Sequence, residues 1–434
     1  MYQLSTLNNG LRVLTVTMPY FQSVSLGFFI GVGSRYEPEA LAGASHFVEH
    51  MLFKGTNRRP CARDIAEAIE GKGGVFNAST GLELTLYWAK VAADHLPVAL
   101  DVLSDMLLNA TFDQVEVEKE RTVICEEISY STDMPDSLAQ IMVNELQWPN
   151  HPLGRDVAGT LDSVAALGRD ALRAFQKAHY RPDNTILSLA GLVDHAEAVK
   201  LVEAHLGDWE PGPSMTYEPA PPNHIHREPC VQTAFRETEQ AQISFSFPGL
   251  SRDDPDSFSL RLLNIVLGEG MRSRLFQEIR ERLGLAYSVG SYISNLQDAG
   301  SVGLFASVAT DRVEPTIRAI LDQIERIRQE PVPIAELESA RDFIKGRFAL
   351  SLEDSFTLAS WYARQTLLQS QVLSPKDTLD RLDATTPQDI QRLAQELLRP
   401  EYLNLAAVGR FSDNGDGLRQ LAHLSHRQIA VQAG

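Results

Sequence analysis

The chain has 434 residues and a net charge of −18, with 44% hydrophobic and 22% charged residues. Its length suits two or three globular domains, and its acidity argues against a nucleic-acid backbone or an anionic membrane surface as partner while mildly favouring cationic substrates. No stretch reaches the roughly 18 uninterrupted apolar residues that a membrane helix needs, so no membrane association is expected.

The first residues, MYQLSTLNNGLRVLTV, lack a basic segment followed by a long apolar core, so no secretory signal is visible. Cys61, Cys125 and Cys230 are odd in number and far apart. They fit a reducing compartment better than a disulfide framework, and a cytoplasmic location is expected. Residues 23–33, SVSLGFFIGVG, read as a buried strand, followed by an acidic turn, SRYEPEALAG. Next comes GASHFVEHMLFKGT, read as a helix, and a second helix, ARDIAEAIEGKGG. A hairpin follows, VFNAST and ELTLYWAKV about a turn at Gly81, then a helix, DHLPVALDVLSDML. Residues 113–130, DQVEVEKERTVICEEISY, form an acid-started helix with an apolar stripe of Val117, Ile124 and Ile128. The half closes with a helix, DALRAFQKAHYRPDN, and a strand, TILSLAGLVD.

Residues 211–223, PGPSMTYEPAPPN, read as an extended linker. Beyond it the same order returns. QAQISFSFPGL is the strand and SRDDPDSF the acidic turn. DSFSLRLLNIVLGEG and MRSRLFQEIRERLG are the helices, and LAYSVGSYISN with AGSVGLFASV the hairpin. DRVEPTIRAILDQIERI, PQDIQRLAQELLRPEY and LNLAAVGRFSD complete the copy. The expectation is an α+β protein of two homologous domains, 1–210 and 224–434, each a mostly antiparallel sheet with helices packed on one side.

His46, Glu49 and His50 make the pattern H-x-x-E-H. On a helix, residues four apart share a face, so both imidazoles can reach one zinc ion, with the glutamate beside them. A catalytic zinc needs a third protein ligand and an open position for water. Glu120 and Glu127 lie two turns apart on one face of the acidic helix. One could bind the metal and the other could orient a histidine, whereas Glu126 points elsewhere by about 100°. By itself, H-x-x-E-H also fits a core helix with satisfied histidines. His95, His151 and His179 have no partner pattern and read as structural or surface residues.

With GVGSRYEP, GASHFVEHMLFKGT, FNASTGLELTLYWAKV, LDVLSDML and EKERTVICEEI, the chain resembles the pitrilysin/insulinase family of zinc metallopeptidases. It is most similar to the short bacterial-type members akin to mitochondrial processing peptidase. The resemblance covers essentially the whole chain and implies one zinc ion per chain. The family's spacing from its second histidine to its glutamate ligand lands on Glu127, and its supporting glutamate falls at Glu120. It further implies Glu49 as general base and Asn77, Ala78, Ser79 and Thr80 as an edge strand to which a peptide substrate adds. IRERLGLAY resembles the family's arginine–tyrosine pair at the substrate carbonyl, here Arg280 and Tyr287. The second half lacks H-x-x-E-H. Short relatives form chambers from two subunits, so a dimer is implied. Both residue sets on one chain favour a homodimer with active sites completed in trans, while a heterodimer remains possible. The implied activity is zinc-dependent cleavage of peptides or unfolded segments. The alternative is a non-catalytic or precursor-specific processing subunit working with an unlike partner.

Overall fold

The computed structural model describes residues 2–213, 216–221, 228–411 and Leu418. The strands are β1 Gln3–Thr6, β2 Arg12–Thr17, β3 Ser23–Ile30, β4 Val75–Thr80, β5 Thr85–Ala92, β6 Thr185–Gly191, β7 Cys230–Phe235, β8 Gln240–Pro248, β9 Ala286–Asn295, β10 Gly300–Ala309 and β11 Asn404–Gly409. The helices of the first half are α1 Ala44–Leu52, α2 Ala62–Glu70, α3 Leu96–Asn109, α4 Gln114–Asp133, α5 Pro135–Gln147, α6 Leu161–Ala166, α7 Arg169–His179 and α8 His195–Leu206. Those of the second are α9 Ser257–Leu267, α10 Val313–Gln329, α11 Ile334–Ser351, α12 Ser355–Leu368, α13 Pro375–Ala384 and α14 Pro387–Leu397.

Two sheets form, ordered β1-β2-β6-β3-β5-β4 and β7-β11-β8-β10-β9. With β1 set aside, the two orders are the same. The pairings match as well: β2 with β6 and β7 with β11 are parallel, and every other neighbour is antiparallel. The duplication read from the sequence is therefore a duplication of topology. The hairpin β1–β2 and the strand β7, which precede the apolar strand of each half, were not among the expected elements. Their short alternating segments, RVLTVT and CVQTAF, stand next to polar or proline-rich stretches that mask the period of two.

Each sheet carries its main helical layer on one face. In the first unit, Val24, Leu26, Phe28 and Ile30 of β3 pack with Phe47, Val48 and Met51 of α1, with α3, and with Val117 and Ile124 of α4. The opposite face is also covered. Leu14, Phe29, Ile186 and Ala190 meet Leu358, Ala359, Tyr362 and Ala363 of α12, a helix from the second half of the sequence. In the second unit, Ile243, Phe245 and Leu304 pack with α9, α10 and α14, while Ala406 and Val408 meet Ala139, Met142 and Val143 of α5 from the first half.

The compact units are thus discontinuous: Arg347–Val372 belongs with the first and Tyr130–Gly154 with the second. Sequence limits of 1–210 and 224–434 assign both segments to the other half. The physical reason lies in the central strands. β3, β6 and β11 are buried at nearly every position rather than at alternate ones, so both faces of each sheet must be covered. Residues 211–213 and 216–221 contain no helix or strand, and the rest of the expected linker, 214–215 and 222–223, lies outside the described residues, as do the last two residues of the expected strand 403–413. Among the described residues, no helix is long and apolar enough to cross a membrane.

Candidate metal centre

The helix α1 has only nine residues, too few to be stable alone. Packing holds it: Ala44, Phe47, Val48, Met51 and Leu52 are fully buried, and each large side chain contributes about 2 kcal/mol by leaving water. Its N-terminus has no side-chain cap from Gly43. Glu37 does that work from outside the helix. One carboxylate oxygen accepts the Gly43 N–H at 2.8 Å and the other the Ser45 N–H at 2.6 Å. Burial pushes the Glu37 carboxyl up to about 7, against the lowering effect of these donors. Gly43 sits at φ 91°, and a Cβ there would lie 2.5 Å from the Ala158 carbonyl oxygen, so this entry turn requires glycine. The preceding Arg35 pairs with Glu83 at 2.7 Å with both side chains essentially buried. The acidic turn SRYEP is therefore an anchor for the helix, a role the sequence reading did not give it.

On this helix the two imidazoles face each other, with His46 Nε2 and His50 Nε2 separated by 3.2 Å. Glu127 Oε2 of α4 lies 3.7 Å from each. Ligands about 2.1 Å from one tetrahedral ion stand roughly 3.4 Å from one another, so these three atoms fit a zinc ion. His46, His50 and Glu127 form a group able to hold a metal ion. Glu126 is exposed and is not part of it.

α4 explains why the two glutamates differ. Asp113 Oδ1 accepts the Val115 and Glu116 N–H groups at 2.9 and 3.3 Å and starts the helix. Val117, Glu120, Ile124 and Ile128 form its buried stripe. Glu120 thus sits inside the packed face, 5% exposed, and Glu127, two turns on, reaches the rim. Glu120 Oε2 lies 3.0 Å from His50 Nδ1. With the Nδ1 proton given to that carboxylate, the Nε2 lone pair of His50 is turned toward His46 and Glu127. Of the two glutamates, Glu127 stands in the group that could hold a metal ion, and Glu120 lies at the far nitrogen of His50. His46 Nδ1 has no hydrogen-bond partner among the described residues. Burial, assisted by the neighbouring His50, lowers its imidazole to about 4, so His46 is neutral and its Nε2 can donate a lone pair near neutral pH.

Glu49 stands beside the ligand group and accepts a hydrogen bond from the Thr80 hydroxyl. Burial raises its carboxyl above the usual range, opposed by the Thr80 donor. Thr80 closes β4, which among the described residues pairs with β5 alone and has no strand on its other edge. The turn bond from Gly81 N–H to Leu84 C=O, 2.9 Å, sets the alternation of the ladder. It directs the main-chain groups of Phe76, Ala78 and Thr80 to the outer edge. The side chains of Val75, Asn77 and Ser79 are exposed, while Phe76 and Ala78 pack on the core. The fold thus brings the edge strand and Glu49 together, and Thr80 belongs to both.

Arg280 and Tyr287 lie in the second unit. Arg280 sits in a π-helical turn, Phe276–Arg282, where the Leu283 N–H reaches back to Glu278 C=O at 3.0 Å. Its guanidinium stands 5.3 Å from the Tyr287 ring centre and 4.9 Å from that of Phe276. Tyr287 is 74% exposed, which is unusual for a tyrosine on a strand. At the position of α1, the second half has α9, and the buried Asn264 there bonds Ser291 Oγ at 2.7 Å and Glu269 at 2.9 Å. His151 and His179 are buried structural residues: His151 Nε2 lies 3.2 Å from the Pro219 carbonyl oxygen, and His179 stacks on Phe175 at 4.1 Å. The contacts that sequence reasoning missed are those of Lys54, Glu37 and Thr80 within the site. For Lys54 a signal existed, because it stands one turn beyond His50 on the same helical face.

Known proteins bear on these residues. A family model described as insulinase, peptidase family M16, matches residues 12–161. A second, described as peptidase M16 inactive domain, matches 166–343. An uncharacterized zinc protease of Streptomyces coelicolor is 36% identical over 415 residues, covering 94% of this chain and 90% of its own length. The uncharacterized zinc protease YmxG of Bacillus subtilis is 35% identical over 397 residues, covering 92% and 96%. Among solved structures, a protease from Helicobacter pylori has a TM-score of 0.89 at 22% identity over 94% of this chain and 99% of that one. A chain of complex III2 from Candida albicans has 0.81 at 21% over 97% and 99%. These two show the likeness of fold.

Proposed function

The chain belongs to the insulinase family, peptidase family M16, and we propose that it is a zinc-dependent endopeptidase cleaving peptides or unfolded segments. Its relatives are named zinc proteases. The observation that carries the reading is the convergence of His46 Nε2, His50 Nε2 and Glu127 Oε2 next to a partly desolvated Glu49. That complete set is also what weighs against a non-catalytic subunit.

His46, His50 and Glu127 would hold a zinc ion, which when bound would supply Lewis acidity toward water and a peptide carbonyl. Glu49 takes the proton of the attacking water and later hands it to the leaving amine. Its raised proton affinity suits the receiving step, and the Thr80 hydroxyl orients the carboxylate that performs it. An extended peptide adds to the outer edge of β4 through the main-chain groups of Phe76, Ala78 and Thr80. Such bonding ignores side-chain identity, so substrates need to be unfolded more than they need one sequence. Arg280 and Tyr287 of a second copy donate hydrogen bonds to the oxygen on which negative charge develops. On this reading the working unit is a homodimer with one zinc per chain, enclosing the peptide. The free Cys61, Cys125 and Cys230 suit a reducing, cytoplasmic setting.

The test is cleavage of an unstructured peptide by the purified chain, with its products sequenced and its oligomeric state measured by size exclusion. Internal cleavage that stops with a chelator and returns with zinc is expected. An inert zinc-loaded protein would overturn the reading, and a fully active monomer would remove the dimer from it.

A further inference from the structure

We propose that Lys54 is a positioning residue of the metal centre, one that sets zinc affinity by fixing Glu120. The inference rests on the reading of His46, His50 and Glu127 as the zinc ligands. Lys54 Nζ lies 2.5 Å from Glu120 Oε1, while the other oxygen of the same carboxylate, Oε2, faces His50 Nδ1 at 3.0 Å. The two oxygens of a nearly buried carboxylate are thus shared between one ammonium and one imidazole. That arrangement fixes the carboxylate's rotation and, through it, the plane of the His50 ring.

The backbone prepares the lysine for this contact. α1 ends in a tight turn, with the Phe53 N–H on His50 C=O and the Lys54 N–H on Met51 C=O, both 3.1 Å. Gly55 follows at φ 143°, and a Cβ there would lie 2.5 Å from the Pro60 carbonyl oxygen. Lys54 is therefore held close to the helix axis rather than released into a loop. His46, His50 and Lys54 follow one another at intervals of four on one face, against Glu120 and Glu127 at an interval of seven on α4.

Charge supports the same role. Glu49, Glu120 and Glu127 bring three carboxylates to one place, and Lys54 is paired with Glu120 among them. A buried carboxylate is costly unless its oxygens are satisfied. Without Lys54, Oε1 of Glu120 loses its charged donor. The carboxylate then turns toward solvent or toward the ligand group, and His50 loses its orientation in either case. Outer partners of metal ligands typically change affinity by about 10–100-fold.

The experiment measures zinc affinity of the full-length chain by competition with a chromophoric chelator, for wild type, Lys54→Met, Lys54→Gln, Lys54→Arg and Glu120→Gln. Thermal melting of each metal-free protein serves as the folding control. Lys54→Met and Lys54→Gln are expected to weaken zinc binding roughly tenfold or more, with the metal-free melt lowered because buried Glu120 loses its partner but each variant still folded at the temperature of the titration. Lys54→Arg, which keeps charge and reach, recovers most of the affinity. Because Lys54 acts through Glu120, adding either neutral substitution to Glu120→Gln costs nothing further. Unchanged affinity in both neutral variants, or an additive loss in the double variant, overturns the proposal. If wild type itself binds no stoichiometric zinc, the underlying metal-centre reading fails instead.

Discussion

Glu49→Gln is the substitution that separates metal binding from catalysis. Glutamine has nearly the same shape, and its carbonyl oxygen still accepts the Thr80 hydroxyl that now bonds Glu49. The atoms that could hold a metal ion come from His46, His50 and Glu127, so none is altered. What disappears is the group that takes a proton. General-base catalysis contributes typically 10²–10⁴-fold, or roughly 3–5 kcal/mol at about 1.36 kcal/mol per decade. The expected variant therefore carries one zinc per chain by metal analysis and loses at least about a hundredfold in kcat on an unstructured peptide. KM should change little if, as proposed, substrate is held by the β4 edge. Glu49→Asp, which keeps a carboxylate but shortens its reach, falls between the two. Turnover near the wild-type rate with zinc still bound would refute the base assignment. Loss of zinc would show instead that Glu49 belongs to the metal's own coordination.

Ala78→Pro removes an N–H that points to the outer edge, where it now donates to Asn77 Oδ1 at 2.8 Å and where a peptide would take it over, while sparing the ladder to β5. One main-chain hydrogen bond is worth about 1 kcal/mol, so peptide KM should rise roughly fivefold with zinc content unchanged; unaltered KM counts against peptide addition at this edge. Arg35→Met removes the buried ion pair between Arg35 and Glu83, which should cost about 3–5 kcal/mol in denaturant unfolding. Arg35→Met with Glu83→Leu should recover much of that loss. Burial, with a smaller contribution from Arg181, lowers His179 to about 4, below its usual 6.5. A neutral buried histidine stabilises the fold above the unfolded value, and that contribution is lost as pH falls from about 6.5 toward 4. The loss amounts to as much as about 3 kcal/mol. His179→Phe should flatten this part of the acid-unfolding curve of the metal-free protein, and an unchanged slope would contradict it.

The sequence alone determined which residues share a face. Intervals of four place His46 and His50 together, an interval of seven aligns Glu120 with Glu127, and alternation marks β4 as a half-exposed strand. Those are consequences of helix and strand geometry, local to each element. The repeated order of strand, turn, helices and hairpin likewise foretold two sheets of one topology. Periodicity names a face but not what the face meets. Whether Glu120 or Glu127 approached the metal-facing nitrogens depended on how far α4 sinks into the core, and that depth is set by packing between distant segments. The same limit explains α5 and α12. Each is an ordinary amphipathic segment by sequence, and only the need of β3, β6 and β11 to bury both faces decides that each crosses to the sheet of the other half. The contacts of Thr80 with Glu49 and of Glu37 with the start of α1 join residues whose separation in the chain carries no signal of their meeting, and for Lys54 the helical interval names a face but not the partner Glu120. Tertiary structure alone decided them.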